Sequence, residues 1–194
     1  DAHFVTPVSS FDAHISIPGK HMVYNALAAA AVGYALGLTD EEIAQGIASN
    51  VPIAGRNNLI EGKCYTVIDD CYNANPASMK SSLDVLAYAD TRTAAVLGDM
   101  FELGADEKKM HYNVGVHAAE KGIDVLICIG ALSAEIARGA RETEALKSAG
   151  GAESANKSQT GCMEIYHYKT KSEFFENADN VLRKGDTILV KASH

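Results

Sequence analysis

The residues best equipped for chemistry gather in one stretch, Val67-Ile-Asp-Asp-Cys-Tyr-Asn-Ala-Asn-Pro-Ala-Ser78. Carboxylates at Asp69 and Asp70, a phenol at Tyr72 and carboxamides at Asn73 and Asn75 follow one another. Together they can accept from a ligand's hydroxyls and donate to its ring nitrogens or carbonyls. A second stretch, Gly98-Asp-Met-Phe-Glu-Leu-Gly104, carries Asp99 and Glu102, with His111 downstream. Lys191 and Ser193 close the last apolar segment, and Arg56 precedes the first. The same residue types also cap backbone groups in tight turns, so each stretch taken alone leaves a local reading open.

Stronger signatures are missing. No G-x-x-x-x-G-K-[ST] phosphate loop occurs; Gly19-Lys20-His21 lacks the upstream glycine and the hydroxyl that would hold magnesium. No G-x-G-x-x-G follows a strand, which weakens a dinucleotide reading. There is no H-E-x-x-H, and the spacing of His111 and His117 puts them on different helix faces, against a zinc pair.

These residues need elements to hold them. Val67 and Ile68 are apolar and β-branched, which predicts a buried strand over Cys64–Asp69. Asn75 is a good N-cap, and Pro76 suits a first helical position. The chemical groups then fall at the C-terminal edge of a strand, where open α/β sheets bind ligands. Further strands are predicted at Ala94–Gly98, Val125–Ile129, Met163–Tyr168 and Thr187–Lys191. Helices are predicted at Pro76–Ala89, Asp106–Lys121, Leu132–Leu146 and Lys171–Leu182, the last opened by a capping box at Thr170-Lys-Ser-Glu173. The alternation predicts an α/β fold with a doubly wound, mostly parallel sheet covered on both faces. On this reading the first two strands are neighbours, so their acidic loops form one cleft.

Ahead of this lies a different pattern. Alternation at Phe11, Ala13, Ile15 and Ile17 suggests one strand of a sheet lying elsewhere. A helix over 21–36 follows, with Val23, Leu27, Ala30 and Tyr34 on one stripe, then a short helix opened by Thr39-Asp-Glu-Glu42. Pro52 and Gly55 break periodicity over Asn50–Asn58, which gives expected domains at 1–50 and 59–194 with a linker at 51–58. Gly150–Gly161 reads as a polar loop containing a chance sequon at Asn156-Lys-Ser158.

Composition narrows the partners. The 194 residues carry a net charge of −8 with scattered basic residues, which argues against nucleic acid. No run approaches the length of a membrane span. The four cysteines form no C-x-x-C pair; Cys128 and Cys162, in predicted core strands, read as buried thiols of a reducing compartment. The first residues resemble no signal peptide, and the lack of an initial Met suggests a piece of a longer chain.

Asp69-Asp-Cys-Tyr-Asn-Ala-Asn-Pro-Ala-Ser78 resembles the D-D-S-Y-N-A-N-P-x-S signature of the MurF-type Mur ligases. Gly98-Asp-Met-Phe-Glu-Leu-Gly104, with His111 and Gly115, is similar to their G-D-M-x-E-L-G…H…G stretch. Gly19–Ala30 resembles the helix that ends their central domain, Gly55-Arg56 the G-R at the joint to their third, and Leu189-Val-Lys-Ala-Ser193 their L-V-K-G-S. Cys71 and Ala192 depart from serine and glycine; the second matters if that backbone needs positive φ.

The resemblance implies a Rossmann-like C-terminal domain preceded by the tail of a central ATPase domain. It implies a cytoplasmic ligase of peptidoglycan synthesis that uses ATP and Mg2+ to join D-Ala-D-Ala to UDP-N-acetylmuramoyl-tripeptide through an acyl phosphate. The phosphate loop, magnesium ligands and carbamylated lysine would belong to domains outside these residues, and the third domain would act as a lid. By the same resemblance Asn25 faces adenine, Arg56 the phosphates, Asp70 the ribose, and Tyr72 and Asn73 the base. Asp99, Glu102 and Lys191 become candidates for the dipeptide side. A MurE-type or folylpolyglutamate-type ligase and a non-catalytic nucleotide-binding module are the alternatives.

Overall fold

The computed structural model describes residues 1–51, 53–150 and 162–193, in two compact units, Asp1–Ile53 and Ala54–His194. The sequon at Asn156 lies outside the described residues.

The first unit opens with an antiparallel hairpin of β1 (Ala2–Val5) and β2 (Ser10–Ala13). The strand expected to pair elsewhere therefore finds its partner inside the chain, and Ile15 and Ile17 fall beyond it. Helices α1 (Lys20–Ala35) and α2 (Asp40–Ala48) follow, the second opened by a complete Thr39–Glu42 capping box. The stripe expected on α1 is corrected. Val23, Leu27 and Tyr34 are exposed, and the buried face is Ala26, Ala30 and Gly33, packed with Ile43 and Ile47. Small residues win this face because they let the helices approach: a Cβ on Gly33 would stand 2.9 Å from Ile43 Cγ1.

The second unit is built on a six-stranded sheet. Its strands are β3 (Asn58–Glu61), β4 (Thr66–Asp69), β5 (Thr93–Gly98), β6 (Val125–Ile129), β7 (Glu164–Tyr168) and β8 (Thr187–Lys191). The spatial order is β3-β4-β8-β5-β6-β7, parallel except for the antiparallel edge strand β3. That edge strand begins inside the segment read as linker. Its Leu59 and Ile60 are half exposed, so it carries no alternating apolar signal.

Helices α3 (Pro76–Leu86), α4 (Glu107–Glu120), α5 (Ser133–Gly150) and α6 (Lys171–Val181) connect the parallel strands. Right-handed crossovers stepping from β4 to β5, β6 and β7 put α3, α4 and α5 on one face; the return to β8 puts α6 on the other. Strand alternation follows this division. Ile68, Ala95, Leu97, Leu126, Cys128 and Leu189 face the three helices with Met79, Leu83 and Leu86. Ala94, Val96, Val125, Ile127 and Ile188 face α6, where Phe174 and Val181 cover them.

Local signals explain the element starts. Asn75 caps α3 by accepting from Ser78 N at 2.9 Å, with Pro76 in the first turn. Thr170 caps α6, but Glu173 reaches back to Lys169 N rather than closing a box on Thr170. Cys162 is exposed and precedes β7, so its expected burial is not found, whereas Cys128 is buried in β6.

Candidate functional site

The acidic loops after β4 and β5 are not at adjacent strand ends, as the sequence suggested. β8 lies between them and joins them. The last strand returns to the middle of the sheet, so Lys191 and Ser193 arrive where the two loops need a bridge.

Lys191 is 2% exposed and shares the face of Leu189, toward α3. Its Nζ donates to Asp70 Oδ2 at 2.6 Å, to the Asn73 carbonyl at 2.9 Å and to the Asp70 carbonyl at 3.3 Å. Asp70 Oδ2 also accepts from Ser82 Oγ at 2.6 Å, while Oδ1 accepts from Asn57 N at 3.0 Å. Oδ2 is thereby saturated by protein donors, and Oδ1 keeps room for one more. Asp69 holds the incoming chain, its carboxylate accepting from Gly55 N at 3.1 Å and Cys71 N at 3.3 Å.

Ser193 makes the second bridge. Its hydroxyl lies 3.0 Å from both Asn73 Oδ1 and the Ala74 carbonyl, and its backbone N–H donates to the Asp99 carbonyl at 3.0 Å. The hydroxyl also accepts from Phe101 N at 3.4 Å. Asp70, Asn73, Lys191 and Asp99 thus belong to one connected rim.

Two planar groups stand on this rim. The guanidinium of exposed Arg56 lies 3.9 Å over the ring of Tyr72, and Tyr72 N donates to the Gly55 carbonyl at 2.9 Å. The stack is possible because Gly55 turns at φ +76, letting Arg56 fold back over the loop. Asn73 is exposed beside it. Asn25 lies in the first unit, where it is exposed on α1 and lines a groove of about 330 Å³ with Met22, Ala26 and Ile47.

Asp99 borders the cleft at the end of β5 and is held by backbone donors. Oδ1 accepts from Ser133 N at 2.6 Å and Oδ2 from Ala131 N at 3.1 Å, so the carboxylate fastens the start of α5. Gly130, at φ +124, leaves the space its oxygens occupy. Glu102 is exposed at φ 61. His111 is buried: Met100 N donates to Nε2 at 2.9 Å and Nδ1 lies 2.7 Å from the Glu107 carbonyl, which places the ring hydrogen on Nδ1.

On the α6 side of the rim lies a cleft of about 680 Å³. Gly98, Asp99, Phe101, Gly130, Ala192 and Ser193 form its sheet end. Lys169, Thr170, Lys171, Phe174 and Phe175 form the opposite wall. Sequence reasoning did not single out Lys169, Lys171 or Phe175, whose placement depends on α6 crossing to the other face. Ser82 was missed too, although a hydroxyl between Met79 and Leu83 on an apolar stripe signals a buried partner.

The family departures are accommodated. Cys71 Sγ donates to the Val190 carbonyl at 3.3 Å, and burial with the neighbouring Asp69 pushes its thiol up to about 11, so it stays protonated at neutral pH. Ala192 is not among the residues with positive φ; its Cβ fits because Gly98, whose own Cβ would stand 2.6 Å away, has none.

The family model for the Mur ligase, glutamate ligase domain matches residues 55–194. The UDP-N-acetylmuramoyl-tripeptide–D-alanyl-D-alanine ligase of Bacillus subtilis (strain 168) is 34% identical over 183 residues, covering 92% of this chain and 36% of the relative. The ligase of the same name from Escherichia coli (strain K12) is 39% identical over 126 residues, covering 64% of this chain and 28% of the relative. Among solved structures, MurF from Acinetobacter baumannii superposes with a TM-score of 0.82 at 27% identity, over 98% of this chain and 38% of that one. MurF from Thermotoga maritima in complex with ADP gives 0.71 at 25% identity, over 95% and 38%. The chain spans about a third of the length of these proteins. Its α/β fold, its mostly parallel sheet and its matched residues show that the chain belongs to the Mur ligase family and carries that family's C-terminal domain, with MurF enzymes as its relatives.

Proposed function

We propose that this chain serves an ATP-dependent amide ligase that adds D-Ala-D-Ala to UDP-N-acetylmuramoyl-tripeptide, supplying contacts to the nucleoside end of ATP and to the incoming amine. The observation that carries the reading is the continuous rim formed by Asp70, Lys191, Asn73, Ser193 and Asp99 in a chain of this family.

In this reading the open acceptor site of Asp70 Oδ1 takes a ribose hydroxyl. Tyr72 and Asn73 border the base. Arg56 spends the face of its guanidinium on Tyr72 and keeps its N–H edge for phosphate oxygens. Asn25 is assigned to adenine by family resemblance. The cleft beside α6 takes the dipeptide, with its methyl groups against Phe101 and Phe175 and its carboxylate toward Lys169 or Lys171. Glu102 stands at this side of the rim, while Asp99 and Lys191 serve it from beneath.

The reaction proceeds in two balanced steps. A tripeptide carboxylate oxygen attacks the terminal phosphorus of ATP and ADP leaves. The dipeptide amine then attacks the acyl carbon, phosphate leaves, and the nitrogen loses a proton. Among the described residues no group of three His, Cys, Asp or Glu side chains forms a metal site, so magnesium is assigned no ligand and no step here. ATP as co-substrate suits a cytoplasmic enzyme, and no helix among the described residues is long and apolar enough to cross a membrane.

The test is ADP release by the intact parent ligase, given the tripeptide nucleotide with D-Ala-D-Ala or with single amino acids. Turnover is expected with the dipeptide. Preference for a single amino acid moves the chain to another Mur or folylpolyglutamate-type ligase. Turnover without ATP rejects the reading. The 194 residues alone, lacking a phosphate loop, are expected to show none.

A further inference from the structure

We propose that Lys191 is a positioning residue, whose buried ammonium locks the loop 70–74 in the form that meets the nucleotide, and that it is a ligand of neither substrate. The proposal rests on the nucleotide reading above.

A lysine ammonium has three N–H donors, and here three protein acceptors lie within reach: Asp70 Oδ2, the Asp70 carbonyl and the Asn73 carbonyl. None is left over for a ligand. Lys191 borders the cleft beside α6, yet it is only 2% exposed and its ammonium is engaged on the α3 side of the sheet, so a ligand would have to dismantle these bonds to use it. Lysines are seldom buried so completely, because desolvating the charge costs heavily unless it is paired. The pairing here is with a loop, not with the core alone.

The acceptors bracket Cys71 and Tyr72. Fixing residues 70 and 73 fixes the turn between them, which leaves Tyr72 53% exposed beneath Arg56. The anchor is firm, since β8 is hydrogen-bonded on both sides, to β4 and β5. Two residues further on, Ser193 ties Asn73 and Ala74 to the backbone of Asp99 and Phe101. The nucleotide loop and the cleft loop are therefore both referenced to the end of one interior strand.

The experiment has two arms. In the intact ligase, Lys191→Met is expected to raise the KM for ATP about tenfold or more, the size of a lost charge-assisted hydrogen bond, and to leave the KM for D-Ala-D-Ala within about twofold. A rise confined to the D-Ala-D-Ala KM makes Lys191 a ligand of the amine and overturns the proposal, as do unchanged kinetics. In the ligand-free 194-residue chain, hydrogen exchange at the Tyr72 and Ala74 amides is expected to quicken about tenfold or more in the variant. Asp70→Asn/Lys191→Met, which removes both charges, covers the case in which Lys191→Met alone does not fold. Wild-type protection of these amides in the double variant overturns the clamp. The exchange arm does not depend on ATP, so a parent that works without ATP defeats the nucleotide reading separately.

Discussion

Gly115 of α4 lies directly against the backbone carbonyl of Ile136 in α5, with no room for a Cβ between them. Gly139 of α5 meets the carbonyl of Tyr112 in the same way from the other side. These reciprocal contacts bring the helices close enough for Val114, Ala118, Ile136 and Ala140 to share one core over β5 and β6. Gly115→Ala and Gly139→Ala must push backbone aside, and each is expected to cost about 3 kcal/mol, the upper part of the range for overpacking. Urea unfolding checks this as a lower midpoint. Gly46→Ala at an exposed position of α2, where a Cβ meets nothing within 4 Å, is the control and should stabilise its helix by about 0.5–1 kcal/mol.

Arg92 holds the opposite edge of the sheet. It donates to Asp186 at 2.9 Å and to Glu164 at 3.0 Å, and Asp186 is 2% exposed. Arg92→Met strands that buried carboxylate and should cost about 3–5 kcal/mol in denaturant unfolding. Burial alone would raise the Glu164 carboxyl, but hydrogen bonds from Arg92 and Tyr166, with the charges of Arg92 and Arg183, hold it below its ordinary value of 4.5. A depressed carboxyl contributes stability above its unfolded value, and that contribution is lost as pH falls through the folded one. Unfolding free energies measured from pH 6 downward should decline less steeply below about 4.5 in Arg92→Met than in the wild type.

The cysteines should separate by reactivity. Cys64 and Cys162 are exposed, Cys71 is partly buried with its thiol pushed up to about 11, and Cys128 is fully buried with its thiol raised further by desolvation. Because the thiolate is the nucleophile, iodoacetamide at pH 8 should label Cys64 and Cys162 first. Peptide mass spectrometry should show Cys71 labelling accelerate as pH rises toward 11, and Cys128 reacting only once the unit unfolds. Early labelling of Cys71 at pH 8 contradicts its bond to the Val190 carbonyl.

Tyr72 offers a way to test the proposed nucleotide rim while disturbing the fold little. An exposed cation–π contact is worth about 0.5–1 kcal/mol, so Tyr72→Ala should barely move the melting temperature. If the proposed site holds, in the intact ligase it is expected to raise the ATP KM several-fold by removing the proposed surface for the base and freeing Arg56. Asp70→Ala is the contrasting variant. It removes the partner of Lys191 and Ser82, so loss of stability should accompany loss of ATP affinity. Thermal melts run beside the kinetics distinguish the two.

Much of this arrangement is legible in the chain itself, because its causes are local. Asn75-Pro76 announces the start of α3 through a side-chain cap and a missing N–H, and Thr39–Glu42 announces α2. The apolar runs at Val125–Ile129 and Thr187–Lys191 name interior strands without reference to neighbours. Asp70, Asn73 and Asp99 are readable as rim residues because loops at the C-terminal ends of parallel strands must converge on one edge. Edge strand β3 is not readable, since half-exposed Leu59 and Ile60 follow no alternation. The buried face of α1 is not readable either, because Ala26, Ala30 and Gly33 were chosen for closeness of approach and not for hydrophobicity.

The residue sequence by itself determined the helices and the parallel strands of the main sheet and which polar groups stand at their ends, since capping and periodicity act over a few residues. The strand order was decided only in three dimensions. Placing β8 between β4 and β5 is a matter of pairing between segments far apart in the chain, Thr66 and Thr93 each with Thr187, on which local propensity has no bearing. That placement makes Lys191 the buried partner of Asp70, because a charge brought inside the sheet must find its counter-charge there.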